Sequence, residues 1–121
     1  MKTYNEFIKE SQEIINKITS NWERNHPGMK ASASITRQGD IQLHKIEVPK
    51  EQRGKGIGSR FMKGLTKTAD RQGRRITLSQ QPERGHKKKL DTFYQRFGFK
   101  ANKGRDKDFS VSDTMIRNSN Q

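Results

Sequence analysis

Val48-Pro49-Lys50-Glu51-Gln52-Arg53-Gly54-Lys55-Gly56-Ile57-Gly58-Ser59 joins the end of an apolar run to the start of an amphipathic one through a basic turn with glycine at every second position. Strand, turn and helix in that order form a cradle for phosphate. Glycines let the main chain approach a ligand without a Cβ in the way, and successive N–H groups at a helix N-terminus attract anions. The segment therefore points to a phosphorylated cofactor or substrate.

Upstream of the turn, Ile41 and Leu43 are out of step with Ile46 and Val48 in a strand expected over residues 41–48. Either a β-bulge near His44-Lys45 or a strand covered on both faces accounts for that slip, and both suit a central strand. Residues 30–37, with Ala31, Ala33 and Ile35 alternating, form the other arm of a hairpin closed at Gln38-Gly39-Asp40. Before it, Thr3 and Glu6 stand in capping-box spacing ahead of a helix. That helix places Phe7, Ser11, Ile14 or Ile15, Ile18 and Trp22 on one face and stops at Asn25-His26-Pro27-Gly28.

Downstream, the helix after the turn carries Ile57, Phe61, Met62, Leu65 and Ala69 inward and Arg60, Lys63, Lys67 and Arg71 outward, with Gly73 as its cap. A short strand over residues 75–79 completes a strand–helix–strand crossover, which implies parallel strands. A loop with Pro82 over residues 80–85 precedes a helix bearing Leu90, Phe93, Tyr94 and Phe97, ended by Gly98. Phe99 opens a strand, residues 103–108 form a charged turn, and residues 113–117 form a closing strand before a polar tail.

The 121 residues suffice for a single domain with one core. The apolar share is 27% against 32% charged, a balance that would suggest disorder if the apolar residues were not gathered into periodic segments. The formal net charge of +13 is uneven: residues 50–107 hold 18 Lys plus Arg against 5 Asp plus Glu, whereas the remainder is balanced. The excess surrounds and follows the glycine turn, as a solubilising surface or as a face for a polyanion such as nucleic acid. No cysteine is present, which excludes disulfides, a thiolate nucleophile and a zinc site of the usual Cys/His spacing. The N-terminus lacks the apolar core of a signal peptide, and no segment has the roughly 20 apolar residues of a membrane helix, so a cytoplasmic protein with no metal is expected.

Two common phosphate loops fail on spacing. Gly54-x-Gly56-x-Gly58 lacks the Lys-Ser/Thr of a P-loop and the third glycine of a dinucleotide fingerprint, and Ser79-Gln80 stands where a ribose-binding acid would be needed. Arg53-x-x-Gly56-x-Gly58 instead resembles the acyl-CoA pyrophosphate loop, Gln/Arg-x-x-Gly-x-Gly/Ala, of the GCN5-related N-acetyltransferases (GNAT). A second, independent motif lies downstream in the right order. Phe93-Tyr94-Gln95-Arg96-Phe97-Gly98-Phe99 is similar to that family's late helix-to-strand segment, and closest to its arylalkylamine N-acetyltransferase-like members.

This resemblance, covering about residues 41–117, implies an α/β (α+β) fold: a mixed central sheet with splayed central parallel strands, flanked by helices. It implies one domain over residues 1–121, with 1–28 an N-terminal helix and turn and 118–121 a frayed tail. It implies transfer of acetyl from acetyl-CoA to a primary amine, a protein lysine or another amine, by direct attack in a ternary complex. A basic nucleic-acid-binding module and a non-catalytic CoA-binding protein on the same fold are the alternatives.

The resemblance also distributes roles. Main-chain groups of Ile46, Glu47 and Val48 would meet the pantetheine arm of coenzyme A. The segment Arg53, Gly54, Lys55, Gly56, Ile57, Gly58 and Ser59 would cradle the diphosphate. Tyr94 would protonate the departing thiolate, a task that suits a phenol of ordinary pKa about 10 facing a thiol of about 8.5, although a core aromatic is the alternative. His44 would be the base, or a structural imidazole on the sheet. Gln42 stands where histone-type members carry a carboxylate base and cannot accept a proton. Lys87, in the run His86-Lys87-Lys88-Lys89, replaces an asparagine that touches pantetheine in many members; the run would serve the 3′-phosphate of CoA, a separate polyanion or solvation alone.

Overall fold

The computed structural model describes residues 3–80 and 87–119. The loop expected over residues 80–85 and His86 fall outside them, apart from Gln80, as do the last two residues of the tail. Helix α1 (Tyr4–Asn25) leads into a hairpin of β1 (Lys30–Ile35) and β2 (Ile41–Glu47). A 3-10 turn at Lys50–Gln52 opens the glycine segment. Helix α2 (Ile57–Gln72), β3 (Ile76–Leu78), α3 (Lys87–Gln95), β4 (Lys100–Ala101) and β5 (Met115–Arg117) follow. The strands form one five-stranded sheet in the order β1-β2-β3-β5-β4. Only β2 and β3 pair in parallel among them, and the other neighbours are antiparallel. This is the mixed α/β sheet that the pattern of motifs predicts.

The slip of apolar phase in β2 is a β-bulge. Ser32 pairs with Lys45 and Ala33 with Leu43, so His44 is the extra residue. A bulge shifts the side-chain alternation by one, which turns Ile41 and Leu43 before it, and Ile46 after it, toward the helical side. Pairing of β2 with β3 ends at Leu43↔Leu78, next to the bulge, so the two parallel strands part at His44 and Ser79. A cleft opens there.

The core lies between the sheet and the helices. Ile41, Leu43, Ile76, Leu78 and Met115 of the sheet meet Ile15 and Trp22 of α1 and Phe61, Met62, Leu65 and Ala69 of α2. The outward basic row of α2 is exposed as its period predicts, and Gly73 caps the helix in the left-handed region at φ +68°. The inward face of α1 follows expectation at Ser11, Ile15, Ile18 and Trp22 and departs from it at Phe7. Ser11, Ile15, Thr19 and Trp22 are buried, while Phe7 and Ile14 are 50% and 43% exposed. The reason is that α1 lies along the free edge of β1. Gln12 there accepts from Ile35 N at 2.9 Å and donates to Ala33 O at 3.2 Å, and Glu23 accepts from Ala31 N at 3.0 Å. A helix turned to present Gln12 and Glu23 to that edge carries Phe7 and Ile14 outward.

Strand lengths are also shorter than expected. β1 stops at Ile35, β3 at Leu78, and β5 begins at Met115 rather than at residue 113, because Asp113 turns its side chain to Gln42 and Ser79. Arg117 clamps the far end. It forms a bidentate pair with Asp70 of α2, at 2.8 and 2.9 Å, and donates through Nε to Phe97 O after α3.

Candidate active site

Helix α2 begins where Gly54 and Gly56 adopt φ of +83° and +76°, values that L side chains avoid. These two positions need glycine for conformation. Gly58 is different, because it is helical and a Cβ there would meet Phe93 of α3 at an ordinary 3.6 Å. The helix start is pinned from behind, since Trp22 Nε1 donates to Ile57 O at 3.1 Å and its indole packs on Phe61 with ring centroids 5.0 Å apart. The first backbone bond within the helix is Arg60 N to Gly56 O, at 3.0 Å. The N–H groups of Ile57, Gly58 and Ser59 therefore point past the helix end, as at any helix N-terminus, with the positive end of the helix dipole behind them.

A cleft of about 780 Å³ lies in front of these amides, walled by β2, the glycine turn, the end of β3 and α3. It brings together most of the residues singled out in the sequence. Ile46, Glu47, Val48, Arg53, Gly54, Gly56, Ile57, Gly58 and Ser59 line it, as do His44 and Tyr94. Lys55 does not; it is exposed on the outer side of the turn. Arg53 turns Nε back to Val48 O at 2.8 Å, so one of the strand carbonyls expected to face a ligand is engaged by the loop that follows it. The Glu47 side chain pairs with Lys45 at 3.3 Å in solvent.

Tyr94 is 6% exposed, with its ring edge-on to Phe93 and Phe99 at centroid distances of 5.2 and 5.6 Å. Burial pushes its phenol above the ordinary value, because the phenolate would lose solvation. His44 is exposed and shares a 2.7 Å hydrogen bond between its Nε2 and Ser34 Oγ of β1. On α3, Lys87 pairs with Asp91 at 3.1 Å, and Lys89 reaches the cleft wall. A smaller hollow of about 380 Å³, bounded by Lys88, Lys89, Thr92, Phe93 and Arg96, adjoins it.

Sequence reasoning missed the polar group at the end of β3. Gln80 donates to Asp91 and, at 3.0 Å, to Met115 Sδ, which ties α3 to the sheet. Asp91 is held below the usual carboxylate range, first by the Gln80 amide and then by Lys87. Asp113 accepts from Ser79 Oγ at 2.8 Å and from Gln42 Nε2 at 2.9 Å. No spacing rule announces partners 34 and 71 residues apart; the one signal was a polar Ser-Gln pair ending an otherwise apolar strand.

A sheet that parts beside a helix N-terminus with its amides free for an anion, and a buried phenol across the cleft, fit a diphosphate-bearing acyl thioester. Comparison with a family model agrees. Residues 12–101 match the acetyltransferase (GNAT) domain, and the chain belongs to that family. No curated protein matches the sequence. Among solved structures, Arabidopsis thaliana Naa50 in complex with the bisubstrate analogue CoA-Ac-MVNAL is similar at 18% identity and a TM-score of 0.47. The match covers 73% of this chain and 59% of the plant chain. No helix among the described residues is long and apolar enough to cross a membrane.

Proposed function

We propose that this chain is an acyl-CoA-dependent N-acetyltransferase that moves acetyl from acetyl-CoA to a primary amine by direct attack in a ternary complex. One observation carries the reading: a single cleft places the amide end of α2 on one wall and the buried phenol of Tyr94 on another. A nucleic-acid module would need the basic surface and no such cleft.

In this reading the amides of residues 54–59 bind the diphosphate, with Arg53 and Lys55 adding positive charge nearby. The main chain of Ile46, Glu47 and Val48 guides the pantetheine arm toward the point where β2 and β3 part. The thioester then lies near Tyr94. Its raised pKa keeps the phenol protonated across neutral pH, so it can deliver a proton to a thiolate whose ordinary pKa is about 8.5. An alkylammonium acceptor of ordinary pKa about 10.4 must first lose a proton, and the exposed His44 imidazole is placed to pass it to water. The absence of cysteine is consistent with direct attack rather than an acyl-enzyme. The chain acts as one domain, with α1 closing the sheet edge. The acceptor is a protein lysine or another amine, with a small polyamine or an arylalkylamine next in order. Incubation with acetyl-CoA and a panel of primary amines, read by release of free thiol, tests the proposal. Amine-dependent release supports it, and a folded protein that releases none with any amine refutes it.

A further inference from the structure

Ser79 stands at the end of β3, one residue past the last pair that bonds β3 to β2. Its hydroxyl is exposed on the cleft wall, on the same cleft as Tyr94. The hydroxyl donates to Asp113 Oδ1 at 2.8 Å and accepts from Thr114 N at 3.3 Å. A serine oxygen has one proton to give and two lone pairs, so one lone pair is left for a donor in the cleft. Behind it, the Asp113 carboxylate is half-buried and held from its other oxygen by Gln42 Nε2 at 2.9 Å. Gln42 cannot take a proton, but it fixes a carboxylate that can. Across the parting of the strands, His44 occupies the matching place on β2, its imidazole bonded to Ser34.

We propose that Ser79 and Asp113 form a second proton-accepting pair, which receives the proton released from nitrogen after attack. This rests on the acetyltransferase reading above. Acylating an ammonium releases two protons. The first leaves before attack and passes by way of His44 to water. When the amine lone pair then attacks the acetyl carbon, the C–N bond forms and nitrogen carries a positive charge. As the C–S bond breaks, the second N–H proton goes to Ser79 Oγ while the Ser79 hydroxyl proton goes to Asp113 Oδ1. Tyr94 protonates the departing sulfur, and both Asp113 and Tyr94 then exchange protons with water. Ser79 is the residue that touches the amine, and Asp113 is a positioning residue acting through it. The same pair supplies local negative charge for a cationic amine on a surface whose net charge is strongly positive. The other titratable groups lining this cleft are His44, Lys45 and Glu47 on β2, Arg53 in the turn, Lys89 and Tyr94 on α3, and Arg96 just after it.

The test uses two small primary amines of different basicity, n-butylamine and trifluoroethylamine, with wild type, Ser79→Ala, Asp113→Asn and the control His44→Ala. Asp113→Asn is expected to lower kcat on the order of a hundredfold for both amines. The acidic limb of its pH–rate profile should be displaced, and the apparent affinity for acetyl-CoA should stay within twofold of wild type. Ser79→Ala should follow it. His44→Ala should lose more with butylamine, which is charged near neutral pH, than with trifluoroethylamine, which is not. A second readout needs no turnover: butylammonium should shift the Thr114 amide resonance in wild type and leave it unmoved in Asp113→Asn. An unchanged profile and an unchanged Thr114 response in Asp113→Asn overturn the pair. So does a loss of acetyl-CoA binding equal to the loss of rate, which would mark Asp113 as purely structural. Failure of wild type itself to bind acetyl-CoA overturns the acetyltransferase reading instead, and with it this one.

Discussion

Tyr94 joins two properties in one side chain. Its ring is part of the aromatic cluster with Phe93 and Phe99, and its raised pKa makes it a better reservoir of a proton than an exposed tyrosine. Tyr94→Phe keeps the ring and removes the proton. We expect kcat to fall on the order of a hundredfold with little change in thermal stability, as measured by steady-state kinetics beside a melting curve. The sign of the shift sets the alkaline behaviour. A phenol raised above about 10 is still more than half protonated at that pH, so the decline in the activity it supports is centred above pH 10. A decline in kcat beginning well below pH 10 in the wild type, absent from Tyr94→Phe, would contradict the assignment of Tyr94 as the acid.

At the scale of elements, α1 acts as a cover for the sheet edge. Gln12 satisfies one N–H and one C=O of β1 and Glu23 a second N–H, so the strand presents fewer bare groups to another chain. Gln12→Ala leaves two half-buried main-chain groups without that partner. It should cost about 1–3 kcal/mol in denaturant unfolding and increase self-association on a sizing column. The loop between β4 and β5 is held by charge. Asp108 accepts from Ser110 and pairs with Arg75 at 2.7 Å, while Arg75 also grips Asp40. The Ser110 hydroxyl first, and Arg75 with it, draw Asp108 down to about 2. A depressed carboxylate contributes stability that is complete above its unfolded value of about 3.9 and is lost as pH falls through the folded one. Amide exchange at Ser110 and Asn102 should accelerate between pH 4 and 2, and Asp108→Asn should abolish that step.

These elements also show what a sequence can reveal. The glycine turn and both flanking elements of the crossover were readable, and the bulge in β2 was one of two readings, because each is written in consecutive residues: glycine spacing, a 3.6-residue period, a slip in a two-residue period. The motif that singled out Tyr94 lies on α3, where the residue lines the cleft. The inward face of α1 was readable through Ser11, Ile15, Ile18 and Trp22 but not at its start, since Phe7 is as apolar as they are, and only the distant edge of β1 turns it outward. Neither the Arg117–Asp70 clamp nor the Asp113–Ser79–Gln42 group was legible. Their members lie 47, 34 and 71 residues apart, and pairing between short polar side chains leaves no period in the chain.

For the whole molecule, the excess charge of residues 50–107, of which Arg53, Lys89 and Arg96 line the cleft, should act on any anionic ligand before contact. Raising ionic strength from about 0.01 to about 0.15 M shortens the screening length from about 30 to about 8 Å. The KM for acetyl-CoA should therefore rise several-fold over that range while kcat changes little; a KM insensitive to salt would assign the charge to solubility alone. The deeper claim is that main-chain amides at the start of α2 hold the diphosphate of coenzyme A. A titration of isotope-labelled protein with acetyl-CoA, followed by backbone amide resonances, tests it most directly. The largest shifts should fall on residues 54–59, with saturation at one equivalent. A folded protein whose amides there stay still while acetyl-CoA is added, or whose shifts gather on another face, would contradict it.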